Sequence, residues 1–120
     1  MPLNRLTIYA KDVEETARFY TTYFDFDVLR LPGDRIVELV SRDGGANIML
    51  HPAGKAQKMG QVLVKLVFDI EDVEAFCADA AEKGLQFGPI HKADGYVFAN
   101  AKDPNLNPIS VSSRAFREKA

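Results

Sequence analysis

Few side chains in this 120-residue chain could do chemistry. Arg5 carries a guanidinium fork able to grip a carboxylate, phosphate or sulfate bidentately, and Lys65 could add a second, more flexible contact. His51 and Glu38 could hold a metal with water, and Glu38 could act as a general base if burial raises its pKa. Two protein ligands are few for a specific metal centre, so this pair reads better as a histidine near a paired glutamate. The second histidine, His91, falls in a loop before "KADGY". Cys77, the only cysteine, lies on the apolar side of a helical stretch and is expected to be a small buried hydrophobe rather than a nucleophile.

The elements that would carry these residues are written twice. Asp12 opens "DVEETARFY" and Asp72 opens "DVEAFCADA", sixty positions apart. Each aspartate can cap a helix, with Glu15 completing a capping-box pattern in the first copy. Val13, Ala17, Tyr20 and Phe24 make one helical stripe, and Val73, Phe76, Cys77 and Ala80 make the other. Gly84 after Lys83 marks the end of the second helix. Each helix follows a strand, "RLTIYA" or "VLVKLVFDI", and precedes three more. These are "FDVLRL", "RIVELVS" and "ANIML" in the first half, and "LQFGPI", "GYVFANA" and "NPISVSS" in the second, separated by Gly-, Pro- and Asp-rich turns.

The chain therefore reads as α+β, with two tandem βαβββ modules. Module one spans 1–51, a Gly- and Pro-containing linker spans 52–61, module two spans 62–113 and a tail spans 114–120. A helix covers one face of such a sheet, so the other must meet a sister module, a second chain or a ligand.

Composition narrows the function. At this length the chain buries roughly two-thirds of its unfolded surface and needs no disulfide or structural metal to fold. Its 15 basic and 17 acidic residues are interspersed, which points away from nucleic acid. No apolar run reaches bilayer length, and the N-terminus does not read as a signal peptide. One cysteine fits a reducing compartment, so a soluble cytoplasmic protein is expected.

The tandem arrangement resembles the glyoxalase/bleomycin-resistance/dioxygenase (vicinal oxygen chelate) superfamily, over almost the whole chain. "DVEETARFY" looks like the family's aspartate, helix and Phe-Tyr segment, and Asp103–Asn105 resembles its "DPDG" turn. Two departures stand out. The family's usual "LGF" is Phe24-Asp25-Phe26 here, and Leu106 replaces the glycine of "DPDG". The resemblance implies a curved mixed sheet around a cleft, often completed in a homodimer. In metal-dependent members it also implies one ligand from the first and last strand of each module. Those positions fall at Arg5, Met49, Lys65 and Ser110. Arginine offers no lone pair and methionine is too soft for such an ion. A unit charge about 4 Å from another interacts by roughly 4 kcal/mol at intermediate dielectric, so two cations would repel a dication. No metal cofactor is expected.

Strand parity then puts Arg5, Thr7, Tyr9, Asn47, Met49, His51, Lys65, Val67, Ser110 and Ser112 on the cleft-facing side. The seventh strand adds either Tyr96, Phe98 and Asn100 or Val97 and Ala99, the first set being favoured because Val97 and Ala99 suit packing against a helix. Aromatic walls with a few convergent polar groups suit a small molecule. The expected function is metal-independent binding of an aromatic or anionic compound, of the bleomycin-resistance type. The alternative is a divergent lyase, isomerase or dioxygenase with a metal shifted to His51 and Glu38.

Overall fold

The computed structural model describes residues 1–118, and the chain divides into two compact units, Met1–Met59 and from Gly60 onward. Residues 119 and 120 of the expected tail lie outside the described residues. The first unit runs β1 (Arg5–Ala10), α1 (Val13–Tyr23), β2 (Phe26–Leu29), β3 (Val37–Ser41) and β4 (Asn47–Pro52). Its sheet has the order β1-β4-β3-β2, with β1 parallel to β4 and the other pairs antiparallel. The second unit runs β5 (Leu66–Asp69), α2 (Val73–Glu82), β6 (His91–Lys92), β7 (Val97–Lys102) and β8 (Pro108–Ser112). Its order is β5-β8-β7-β6, with β5 at an edge and parallel to β8. A short 3-10 helix, Arg114–Phe116, comes after β8. The fold is α+β, built from two βαβββ modules.

The helix starts form as the sequence requires. Asp12 accepts the Glu15 N–H at 3.0 Å, and Asp72 accepts the Ala75 N–H at 3.0 Å. Each satisfies a donor that the first helical turn leaves without an intrahelical partner. At the end of α2 the Leu85 N–H reaches the Ala80 carbonyl and the Gly84 N–H reaches that of Ala81. That is the Schellman pattern, and it needs the left-handed φ of 106° that Gly84 supplies.

Cores form where the stripes meet the sheets. In the first unit Ala17, Tyr20 and Phe24 of the expected set are buried, joined by Thr16, whose hydroxyl donates to the Asp12 carbonyl. Tyr20 meets Phe26 edge-on at a centroid distance of 6.0 Å. Ile8, Ala10, Val37, Leu39, Ile48 and Leu50 complete this core from the sheet. In the second unit Val73 and Ala80 are buried, with Phe87, Ala99, Ile109 and Val111, while Phe76 and Cys77 are half-buried.

One expected strand is absent. Residues 85–90, "LQFGPI", form no strand. Leu85 is spent on the helix cap, and Pro89 has no N–H to give a ladder. Only the Gly88 N–H bridges to β7, at the Asn100 carbonyl. Pairing resumes at His91, so β6 is two residues long and His91 belongs to the sheet rather than to a loop.

Both departures from the family glycines keep a glycine-like backbone. Asp25 has φ 55° and Leu106 has φ 64°. The turn around Leu106 is enforced by the buried Asp103 carboxylate. Its Oδ1 accepts the N–H groups of Asn105 and Asn107 at 2.8 and 2.9 Å, and its Oδ2 accepts the Asn107 amide at 3.0 Å. A left-handed conformation costs an ordinary L-residue roughly 1–2 kcal/mol, and glycine's extra unfolded-state entropy costs roughly 0.5–1 kcal/mol. Leu106→Gly is therefore expected to raise stability by about 0.5 kcal/mol, seen as a higher urea midpoint. Asp103→Ala strands two backbone donors and is expected to lower stability by about 2–4 kcal/mol in the same measurement.

Candidate functional site

Side chains alternate along each strand, so each sheet has a face of buried residues and a face of opposite parity. In the first unit that second face carries Arg5, Thr7 and Tyr9 from β1, Asn47, Met49 and His51 from β4, and Glu38 from β3. Arg5 lies beside Asn47, Thr7 beside Met49, and Tyr9 beside His51, while Glu38 pairs with Met49 from the other side. The Arg5 Nε reaches the Glu38 carboxylate at 3.5 Å, with 58% of the Arg5 side chain exposed. A pair this open contributes under about 1 kcal/mol, and Arg5 keeps donors to spare.

Two members of this face are partly committed. The Asn47 Oδ1 accepts the Ser41 N–H at 2.9 Å, closing the β3–β4 hairpin. The His51 Nδ1 lies 2.8 Å from the Pro52 carbonyl, which can only accept. Nδ1 must therefore carry the proton, and Nε2 of the neutral ring is the acceptor. The Tyr9 ring stands 5.4 Å from this imidazole.

The second unit's corresponding face is more aromatic, and no described carboxylate pairs with its cation. Val67, Ser110 and Asn100 form one row across β5, β8 and β7. Asp69, Ser112, Phe98 and His91 form the next, reaching β6. The Lys65 Nζ donates to the Asn100 Oδ1 at 2.9 Å and lies 5.8 Å from the Phe98 centroid. Phe98 is flanked by His91 at 5.1 Å and by Tyr96 at 6.3 Å, both inclined at 33°. Ser110 and Ser112 are buried, the first donating to the Ala99 carbonyl and the second accepting the Arg114 N–H. Their hydroxyls are structural ties in this arrangement.

Sequence reasoning missed His91 as a neighbour of Phe98. The "DG" of Asp94-Gly95 was the available signal, because a hairpin there carries the period of β7 back onto His91. It also missed Arg114 and Arg117, which stack on Tyr96 from a stretch read as tail.

A divalent ion does not fit the residues at the first- and last-strand positions. Arg5 engages Glu38, Lys65 engages Asn100, Ser110 is tied to backbone, and Met49 offers only a thioether. Among the described residues no group of three His, Cys, Asp or Glu side chains could hold a metal ion. Glu38 and His51 share a face, with the carboxylate already on Arg5 and one imidazole nitrogen on Pro52.

The family model for the Glyoxalase/Bleomycin resistance protein/Dioxygenase superfamily matches residues 3–111. The chain belongs to that superfamily. No curated protein matches it in sequence. Among solved structures of similar fold is TnmS3, an antibiotic binding protein from Streptomyces sp. CB03234, at 21% identity and a TM-score of 0.76. The match covers 92% of this chain and 93% of TnmS3. A superfamily member from Sphaerobacter thermophilus DSM 20745 gives 19% identity and a TM-score of 0.74, covering 93% and 96%. A lactoylglutathione lyase from Agrobacterium tumefaciens gives 17% and 0.70, covering 92% of each chain. Solved structures of this fold thus include a protein described as a binder and one described as an enzyme. Fold alone does not choose between them.

Cys77 stands apart from both faces. Burial pushes its thiol pKa up, which lowers the thiolate fraction at any given pH. Iodoacetamide at pH 8 is expected to alkylate native Cys77 several-fold more slowly than the urea-unfolded chain. The native rate should keep rising with pH beyond about 8.5, where an ordinary thiol is half ionised.

Proposed function

We propose that this superfamily member binds a small aromatic anion without a metal, sequestering it rather than transforming it. The observation that carries this reading is the Lys65 ammonium beside Asn100 and Phe98, in the place where metal-dependent relatives are expected to hold a ligand. Asn100 is neutral, so Lys65 keeps its full charge for an anion, while Phe98, flanked by His91 and Tyr96, offers a surface on which a planar ligand can stack. The first module's own face, carrying Arg5, Thr7, Tyr9, Met49 and His51, offers a set of contacts of the same kind. Arg5 can turn from Glu38 to a ligand carboxylate at little cost, because their pairing is weak. TnmS3 is described as antibiotic binding, and binding alone would suit this chain, since holding a toxic compound lowers its free concentration without chemistry. The reading includes a homodimer acting in the cytoplasm, with no nucleic-acid partner.

The test begins with metal content and thermal melts. No added nickel, zinc, manganese or iron(II) is expected to shift the melting temperature. A stoichiometric ion that stabilises the fold would overturn the reading and point to His51 and Glu38. A screen of aromatic carboxylates, sulfonates and phosphates should then find compounds that raise the melt. At a hundredfold excess over the dissociation constant the gain is about 2.7 kcal/mol, or on the order of 10 °C. Lys65→Glu and Phe98→Ala are each expected to weaken binding about tenfold or more by calorimetry. Unchanged affinity in both would remove this face from the site.

A further inference from the structure

We propose that Arg114, Arg117 and Tyr96 form a separate binding site for a dianionic phosphate group carried by a small molecule. Two guanidinium groups converge on one ring, with the Arg114 Cζ 5.2 Å and the Arg117 Cζ 5.7 Å from the Tyr96 centroid. Neither arginine forms an ion pair with a described carboxylate, although Asp94 and Glu118 are close in sequence. The ring's negative face offsets only part of the repulsion between two like charges. A doubly charged anion would complete the arrangement.

The donors are also preorganised. A 3-10 turn has three residues per turn, so positions i and i+3 lie one above the other. Arg114 and Arg117 are so spaced, and the Arg117 N–H closes the turn on the Arg114 carbonyl at 3.3 Å. The turn is fastened to β7 through Ser113, whose N–H donates to the Val97 carbonyl and whose Oγ accepts the Val97 N–H, both at 3.0 Å. A Cβ built on Gly95 would stand 3.8 Å from the Arg117 Cβ, so that stem rests against the β6–β7 turn. The Arg114 Nη1 donates to the Tyr96 hydroxyl at 2.9 Å. This uses the oxygen as acceptor and leaves the phenolic O–H as a further donor. Two forks and a hydroxyl suit the three terminal oxygens of a phosphate monoester better than the two of a carboxylate. Tyr96 also adjoins Phe98, so a phosphate borne on an aromatic ring finds a stacking partner beside the anion site.

Phenyl phosphate titrated into the full chain at constant ionic strength tests this, with NMR detection at the arginine Nε–Hε signals. Saturable shifts at Arg114 and Arg117 are expected, with inorganic phosphate weaker and phenol without effect on those signals. Arg114→Gln and Arg117→Gln should each weaken binding about tenfold, as loss of a charged fork implies. Arg35→Gln removes the same charge from an exposed loop and should change affinity by less than about twofold. Non-saturating shifts, or equal weakening by Arg35→Gln, would mean bulk charge attraction and would overturn the site. If either glutamine variant fails to fold, Arg114→Lys or Arg117→Lys keeps the charge and removes the fork, and unchanged affinity there also overturns it. The anion contacts of this site involve neither Lys65 nor Asn100, so it can fail while the proposed function stands.

Discussion

A helix can cover only one side of a four-stranded sheet, and each module here has one helix. β1 and β2 run in the same direction at opposite edges of the first sheet, as β5 and β6 do in the second. The chain must therefore cross one face of the sheet between those edges, the crossover is the helix, and the helix packs on one parity of residues. Ile8, Ile48 and Leu39 fall on the buried parity of the first sheet, as Ala99, Ile109 and Val111 do in the second. Every other residue along the same strands is then released from core duty. A slip of one position would exchange the two sets, so the apolar side pins the register and thereby arranges the polar one.

The two modules use that freedom differently. Arg5 faces a carboxylate, so the pair it forms is close to neutral. Lys65, at the matching point of the repeat, faces an amide and a benzene ring, neither of which cancels its charge. The same frame occurs twice, with a self-paired cation on one copy and a cation beside neutral groups on the other. The aromatic content divides in the same way: Tyr9 with His51 on one face, and His91, Phe98 and Tyr96 together on the other.

Most of this frame could be read from residue types. The caps at Asp12 and Asp72 are short-range chemistry, and the alternation in "RLTIYA" and "PISVS" is the pleat itself. What escaped depended on longer-range competition. "LQFGPI" has strand-like composition, yet the Schellman closure claims Leu85 and Pro89 cannot donate, so pairing is deferred to His91. Asn47 sits on the expected face, but a backbone N–H in its own hairpin holds its oxygen, which no parity argument reveals. Arg114 and Arg117 lay in a segment without periodicity, and only the fastening of Ser113 to Val97 brings them over Tyr96. Asp25 and Leu106 take a left-handed backbone without being glycine, and at Leu106 the hydrogen bonds to the Asp103 carboxylate dictate the turn.

The position of Lys65 has a bearing on solubility. It interrupts Val62-Leu63-Val64 and Leu66-Val67-Phe68, and β5 is an edge strand with unpaired backbone groups on one side. Leu63 is fully exposed and Val64 and Val67 are more than half exposed. Replaced by an apolar residue, Lys65 would leave seven consecutive β-prone hydrophobes running from a loop into an edge strand, the composition from which cross-β fibrils grow. A charge at this point acts as a gatekeeper against self-association, whatever else it binds. Position 65 therefore calls for a charged or strongly polar residue even where no ligand is held.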